Sequence, residues 1–165
     1  MKTFLLLLTA AGLLMMPIPV RAQGWRGVVP LHSTRQEVER LLGSPKKSNG
    51  SFSSYETKTE EVRVFYSITS CETDKSAEWN VPLGTVIQFT VYPKQKLPLA
   101  NLKLDNAKFQ RQPDYHVQGV VYYFNRADGI VVDTRILEGN VEDVFGITYW
   151  ARTADQPLRC PKPLQ

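Results

Sequence analysis

Residues 120–149 read VVYYFNRADGIVVDTRILEGNVEDVFGITY. β-Branched and aromatic residues dominate three runs of this segment, 120–124, 130–136 and 141–149, which is typical of β-strands. The turn-forming sequences NRADG and EGN separate the three runs. Strands joined by such short turns pair antiparallel.

The same two-residue period occurs upstream, in residues 62–68 and 85–91. Residues 46–54 and 93–113 lack it, and we expect both segments to be loops. No long helical pattern separates the strands, which argues against parallel βαβ units.

One helix is predicted before the first strand, over Arg35–Leu42. Ser33 or Thr34 can cap its N-terminus, and Gly43 followed by Pro45 ends it. Val38, Leu41 and Leu42 give it one apolar face. The sequence therefore predicts an α+β fold, a mainly antiparallel sheet of five to six strands with one short N-terminal helix packed on one face.

Length and composition fit one globular domain preceded by an export signal. The chain has 165 residues, of which 42% are hydrophobic and 22% charged. Residues 1–22 combine Lys2, an apolar run over 4–16 and the sequence VRA, the pattern of a signal peptide cleaved between Ala22 and Gln23. The alternative is an uncleaved N-terminal anchor, although the apolar run is shorter than the roughly 20 residues of a membrane span.

The remaining residues, 23–165, form the predicted single α+β domain, periplasmic or secreted, without a membrane span. Loss of Lys2 and Arg21 leaves 18 basic and 16 acidic side chains, a net charge of +2. Two hairpin-rich segments, 28–95 and 97–152, are similar enough to suggest a degenerate internal repeat.

Cys71 and Cys160 are the only cysteines, and in an exported protein we expect them to form a disulfide. The alternatives, a metal site that recruits His32 and His116 or a reactive cysteine–histidine pair, lack any ligand-like spacing. We expect no metal and no cofactor.

One cluster of acidic residues is a candidate for catalysis. Five carboxylates lie close in sequence and could act as acid and base in glycoside hydrolysis: Asp128, Asp133, Glu138, Glu142 and Asp143. Charged residues on hairpin turns and solvent faces are the simpler interpretation, so we assign no catalytic residue.

His32 beside Ser33 suggests a nucleophile, but Ser33 has a better-founded role near the helix cap. The basic runs are too short for nucleic-acid binding.

Aromatic residues at strand ends are the remaining candidates. Trp79 and Trp150, with Tyr149 beside the latter, are the residues we expect at an interaction surface, because tryptophan and tyrosine are favoured anchors at protein interfaces.

The sequence VVPLHSTRQEVERLLGSP, residues 28–45, resembles the opening of small exported bacterial domains of the SmpA/OmlA (BamE-like) superfamily. That resemblance implies helices packed on an antiparallel sheet and a role as an accessory part of an envelope assembly or as a protein inhibitor of secreted enzymes. The chain lacks the lipobox cysteine of the envelope members. PLHSTR together with WNVPLGTV, residues 79–86, also resembles exported bacterial proteins of unknown function.

Two function hypotheses follow from the sequence. The first is an exported, non-enzymatic protein-interaction or accessory module of the cell envelope, which binds another envelope or secreted protein. The alternative is a small secreted hydrolase that uses the carboxylates in residues 128–143. The two differ in whether a pair of carboxylates converges in a concave pocket.

Overall fold

The computed structural model describes residues 24–72 and 78–161. The predicted signal peptide and the cleavage point between Ala22 and Gln23 lie outside the described residues. The described residues contain one α-helix, α1 (Arg35–Leu42), and one antiparallel sheet. Its eight strands are β1 (Lys47–Ser48), β2 (Phe52–Glu56), β3 (Glu60–Tyr66), β4 (Val86–Pro93), β5 (Gln110–Pro113), β6 (Val120–Asn125), β7 (Ile130–Ile136) and β8 (Glu142–Tyr149).

The strand order is β1-β2-β3-β4-β8-β7-β6-β5, so two four-stranded meanders meet where β4 pairs with β8. The α+β class and the antiparallel pairing are confirmed, but the expected five to six strands are too few. Each meander lies within one of the two segments with repeat-like sequence, 28–95 and 97–152; a duplication stays a prediction.

The three strands that the sequence analysis missed are the polar ones. β1 has two residues, β2 reads FSSYE, and β5 reads QRQP with all four residues exposed. None of them shows alternating apolar residues: β1 and β5 are exposed edges of the sheet, and β2 is an internal strand that buries Ser53 and Ser54 beside Tyr55.

The predicted bounds of α1 are confirmed, and its cap is Thr34. The backbone N–H of Glu37 donates to the Thr34 hydroxyl, and the Glu37 carboxylate accepts the backbone N–H of Thr34, which completes a capping box. Ser33 instead accepts the backbone N–H of Val29. At the other end Gly43 has a φ of 84°, a conformation that glycine adopts readily.

The helix packs on one face of the sheet, the helix face, and forms the main core. Val38 is fully buried, and it packs in one cluster with buried residues of β2, β3 and β4: Tyr55, Val62, Val64, Tyr66, Val86, Phe89 and Val91. Of the three residues on the apolar face of α1, Val38 is buried and Leu42 packs against the core, whereas Leu41 is 41% exposed.

Two bulges set the faces of the central strands. The register between β3 and β4 shifts at Phe65/Tyr66, which places Val86 opposite Tyr66 and leaves Ile87 half-buried at the strand start. A second shift between Asp133 and Thr134 places Gly146 opposite Asp133. Such insertions re-aim side chains, and a two-residue period cannot reveal them.

Candidate functional site

Cys71 and Cys160 form a disulfide, with their Cα atoms 5.6 Å apart and a sequence separation of 89. The predicted pairing is confirmed. The bond joins the loop after β3 to the C-terminal segment at the end of the sheet where β4 begins and β8 ends.

The segment 78–80 pairs with the segment 158–160 beside the disulfide. Trp79 and Arg159 form an antiparallel bridge, flanked by backbone hydrogen bonds from Asn80 to Leu158 (2.7 Å) and from Cys160 to Glu78 (2.9 Å). Trp79, 8% exposed, packs with Leu31 and Val81 in a second small core. The pairing and the disulfide together fix the position of the Trp79 ring.

The turn between β6 and β7 completes this end of the sheet. Gly129 has a φ of 66°, and a Cβ there would lie 2.4 Å from the carbonyl oxygen of Trp150. The backbone N–H of Trp150 in turn donates to the Gly129 carbonyl at 2.9 Å. Glycine is therefore needed both for the turn and for the close approach of the Trp150 backbone.

A groove of about 400 Å³ lies between these segments. We call it the tryptophan groove and define it by lining residues from four parts of the chain: Trp79, Ile87, Gln88, Arg126, Trp150 and Gln156. The Arg126 guanidinium lies 5.5 Å from the centre of the Phe124 ring, and that of Arg159 lies 5.1 Å from Trp79. Arg159 is also ion-paired with Glu78 at 2.6 Å.

The Trp150 indole contains a buried N–H, Nε1, that has no hydrogen-bond partner among the residues that the structure describes. Leaving a buried donor unpaired costs about 1–3 kcal/mol. Tryptophan is a favoured anchor at interfaces, and Trp150 lines the groove, so it is a candidate for binding.

The structure brings together two of the three aromatic residues expected at an interaction surface. Trp79 and Trp150 both line the tryptophan groove. Tyr149 lies on the helix face, stacked on Phe89 with ring centres 4.6 Å apart. Burial in this core raises the pKa of its hydroxyl.

The face of the sheet away from α1, here the opposite face, extends from the tryptophan groove across β3, β4, β8, β7 and β6. The strand register assigns to this face a row of cross-strand neighbours: Phe65, Gln88, Thr90, Thr148, Val131, Asp133 and Tyr122. A hydrogen bond of 3.0 Å between the Thr90 and Thr148 hydroxyls joins the two halves. Phe65 is 44% exposed, so the face offers an aromatic side chain to solvent.

His32 lies in a polar cluster near the disulfide end of the sheet. Its side chain contacts Asp155 and Arg152 and does not pair with Ser33. Its Nε2 lies 2.8 Å from Asp155 Oδ1 and 2.9 Å from an Arg152 nitrogen. Asp155 is 4% exposed. Burial raises its pKa, but hydrogen bonds from Arg152 and His32 outweigh burial and hold the pKa below the ordinary aspartate value. The cluster ties the segment before α1 to the C-terminal 3-10 turn Thr153–Leu158.

Three of the five candidate carboxylates bond to other groups of the fold. Asp128 accepts from Asn125 in the β6–β7 turn. Glu142 accepts from the Tyr123 hydroxyl at 2.6 Å, and Asp143 pairs with Arg135 at 3.1 Å.

Asp133 differs from these three. Its carboxylate makes no hydrogen bond or ion pair within the described part of the chain, and burial raises its pKa to about 6. Glu142 and Asp143 are neighbours on β8 and point to opposite faces. The structure therefore singles out Asp133, which the sequence could not distinguish from the other four.

Within residues 24–72 and 78–161, no group of three or more histidine, cysteine, aspartate or glutamate side chains is arranged to hold a metal ion. Nor does any helix in these ranges have the length and apolar character to cross a membrane. No known protein family, curated protein sequence or solved structure matches this chain significantly.

Proposed function

We propose that this chain is an exported, non-enzymatic protein-interaction or accessory module of the cell envelope. It binds another envelope or secreted protein through the tryptophan groove and the adjoining opposite face. The observation that carries the proposal is that Trp79 and Trp150, distant in sequence, line one preformed groove with Arg126 on its wall. Tryptophan and arginine are the residues most enriched among interface hot spots.

The export signal expected in residues 1–22 and the resemblance of residues 28–45 to BamE-like domains support the envelope location. The disulfide is compatible with it, because such bonds persist in oxidising compartments.

The edges of the sheet are poor alternatives for partner binding, which favours the face and the groove. Edge strand β1 has only two residues and begins with Lys47. Edge strand β5 ends with Pro113, which has no backbone N–H to offer another strand. Short strands, lysine and proline are the usual protection of an edge against strand addition.

Site-specific photo-cross-linking tests the proposal. Gln156, exposed and in the wall of the groove, is replaced by p-benzoyl-L-phenylalanine in a tagged chain expressed in its own cells. The matched control carries the same amino acid at Gln36, exposed on α1. We expect a discrete cross-linked protein from position 156 and not from position 36.

Capture by the tagged chain with Trp150→Ala should then fall at least about tenfold, the loss typical of a hot-spot residue. Equal cross-linking from positions 156 and 36, or only the monomer from both, would contradict binding at the groove.

One observation favours the alternative, a small secreted hydrolase. A carboxyl with a pKa of about 6, as burial gives Asp133, has the property required of a general acid near neutral pH. Glycoside hydrolysis needs a second free carboxylate nearby, and Asp143 is held by Arg135 and by the backbone N–H of Leu97. The test is release of reducing ends from a panel of envelope glycans: turnover by the wild type that Asp133→Asn abolishes would support the hydrolase over the binding module.

A further inference from the structure

Gly146 leaves a notch in the middle of the opposite face. It lies within β8 directly across from Asp133 of β7, and a Cβ at this position would lie 2.9 Å from Asp133 Oδ2. Gly146 is not among the glycines with a positive φ, so its backbone is one that any residue adopts. The absence of a side chain at position 146 gives the Asp133 carboxylate room to lie across the strand, and a side chain there would displace the carboxylate.

The polar side chains around Asp133 form their hydrogen bonds and ion pairs with other residues. Tyr122, opposite on β6, donates its hydroxyl to Asp114 at 2.8 Å. Arg135, two residues along β7, pairs with Asp143 at 3.1 Å. Thr148 of β8 shares a hydrogen bond with Thr90. None of the described side chains supplies a hydrogen bond or an opposite charge to Asp133.

The glycine at position 146 and the aspartate at position 133 each lower the stability of the fold. A glycine inside a strand forgoes side-chain packing and adds conformational freedom to the unfolded chain. A half-buried carboxylate without a partner carries a desolvation cost, which is why the pKa of Asp133 is raised to about 6. Two unfavourable choices that depend on each other, at the centre of an otherwise well-paired sheet, indicate a site kept for a ligand.

We propose that Asp133 receives the guanidinium of an arginine side chain from the partner protein, held in the notch over Gly146 beside the Tyr122 ring. This inference rests on the proposed function, since it names one contact on the same surface. A guanidinium suits the notch better than an ammonium because it is flat, is weakly hydrated, stacks on aromatic rings and can bond to both oxygens of a carboxylate. The partner's contact segment is accordingly basic at this point.

The contact depends on pH because protonation of Asp133 removes the charge that the guanidinium requires. The titratable groups that face Asp133 are Tyr122 from β6, Arg135 from β7 and Asp143 from β8. Arg135 and Asp143 are bonded to each other, and Tyr122 is bonded to Asp114. Partner binding should therefore weaken as the pH falls through about 6.

Carboxyl-detected NMR of the mature chain tests the notch without the partner. The titration midpoint of Asp133 is measured with N-acetyl-L-arginine methylamide, with N-acetyl-L-lysine methylamide and with sodium chloride at matched ionic strength. We expect the arginine compound to lower the midpoint furthest, in a saturable way. Equal midpoints in all three solutions would overturn the proposal, since they would show only ionic screening.

Two variants separate the carboxylate from the space around it. Asp133→Asn removes the charge, and Gly146→Ala keeps the carboxylate but displaces it from its place over position 146. Both should weaken partner capture at least about tenfold, and Gly146→Ala should also abolish the arginine-specific NMR effect. The control is Glu138→Gln, an exposed carboxylate in the turn before β8, which should change neither.

The failures of this inference and of the proposed function are distinguishable. If the wild type cross-links no partner, the proposed function fails, and the NMR titration still decides whether the notch takes a guanidinium. If a partner is captured equally by the wild type, Asp133→Asn and Gly146→Ala, the notch proposal is overturned and the proposed function stands.

Discussion

Asp133 carries an energetic cost that a neutral side chain should relieve. Its pKa of about 6 exceeds the ordinary aspartate value of 3.8, so the folded state binds the proton more tightly than the unfolded state. The favourable contribution of the protonated form is complete below the ordinary value and is lost as the pH rises through about 6. At pH 7.5 the folded protein therefore carries the cost of an unpaired charge.

We expect Asp133→Asn to raise the free energy of unfolding at pH 7.5 by ~1–2 kcal/mol, a value reduced from the full pKa difference because solvent screens a half-buried group. Urea unfolding at pH 7.5 and pH 5 measures it, and the gain should be smaller at pH 5. Glu138→Gln is the control, with no change expected. The same gain at both pH values would show that the benefit does not come from the charge.

The sequence offers Asp133 only as one of five candidate carboxylates. What distinguishes it in the structure is Gly146, which lies opposite it on the neighbouring strand β8. That pairing depends on a bulge that shifts the register by one residue. Trp79 and Trp150 were predicted individually from their residue type and position at strand ends, but the groove that joins them is a property of the tertiary fold.

Arg35 joins α1 to the first hairpin of the sheet. Its guanidinium donates to the hydroxyls of Ser48 and Ser53 at 2.9 and 2.8 Å and to the carbonyls of Asn49 and Gly50 at 3.0 and 2.7 Å. It also lies 3.9 Å from the centre of the Tyr66 ring. One side chain thus fixes the β1–β2 turn, a segment that the sequence analysis expected to be a loop.

Arg35→Lys should lower the free energy of unfolding by about 1.5–3 kcal/mol, because a single ammonium cannot reach four acceptors and stack on a ring. Arg40→Lys is the matched control; it changes an exposed arginine in the last turn of the same helix and should cost less than about 0.5 kcal/mol. Urea unfolding of the two variants side by side gives the comparison. Equal losses would show that the fork geometry of Arg35 does not matter.

Strands were predictable where apolar residues alternate along the sequence, and not at the edges of the sheet or in β2, an internal strand that buries two serines. The sequence of β3 indicates a strand because buried Val62, Val64 and Tyr66 alternate with more exposed residues. Edge strand β5 carries glutamine, arginine and proline, which meet the needs of an exposed edge rather than of a core. The number of strands was therefore underestimated for a physical reason, the polar character of the two edge strands and of β2.

Pro113 should keep this edge from pairing with a second copy of the chain. The backbone N–H of Asp114 donates to Val120 at 2.9 Å, so by alternation the backbone groups of Pro113 point away from β6. Pro113→Thr restores an outward N–H, and we expect sedimentation velocity to show self-association at concentrations where the wild type does not associate. Gln112→Thr is the control, since its backbone groups already pair with β6. Identical sedimentation of both variants and the wild type would show that proline is not the protection.

The molecule as a whole is two meanders joined by one central strand pair, with binding residues at the disulfide end. β4 and β8 pair over only three residues in each strand, Phe89–Val91 and Ile147–Tyr149. The disulfide, the pairing of 78–80 with 158–160 and the His32–Asp155 contact all lie at one end of this seam. The walls of the tryptophan groove are therefore held by long-range links rather than by a single element.

Removing the disulfide should loosen this end before it unfolds the sheet. A loop of 89 residues predicts a loss of about 4–5 kcal/mol on the entropic model for the Cys71→Ala/Cys160→Ala variant, measured by urea unfolding. Reductant should reproduce the loss in the wild type and leave the variant unchanged.

Hydrogen exchange locates the effect. The backbone N–H of Asn80, bonded to Leu158 at 2.7 Å beside the disulfide, should lose protection at urea concentrations where the N–H of Val132 in β7 is still protected. The groove would then open without loss of the fold, and cross-linking from position 156 should fall under reductant while the sheet remains intact. If the amides of Asn80 and Val132 lose protection together, the disulfide stabilises the whole domain evenly, and the groove has no local dependence on the redox state.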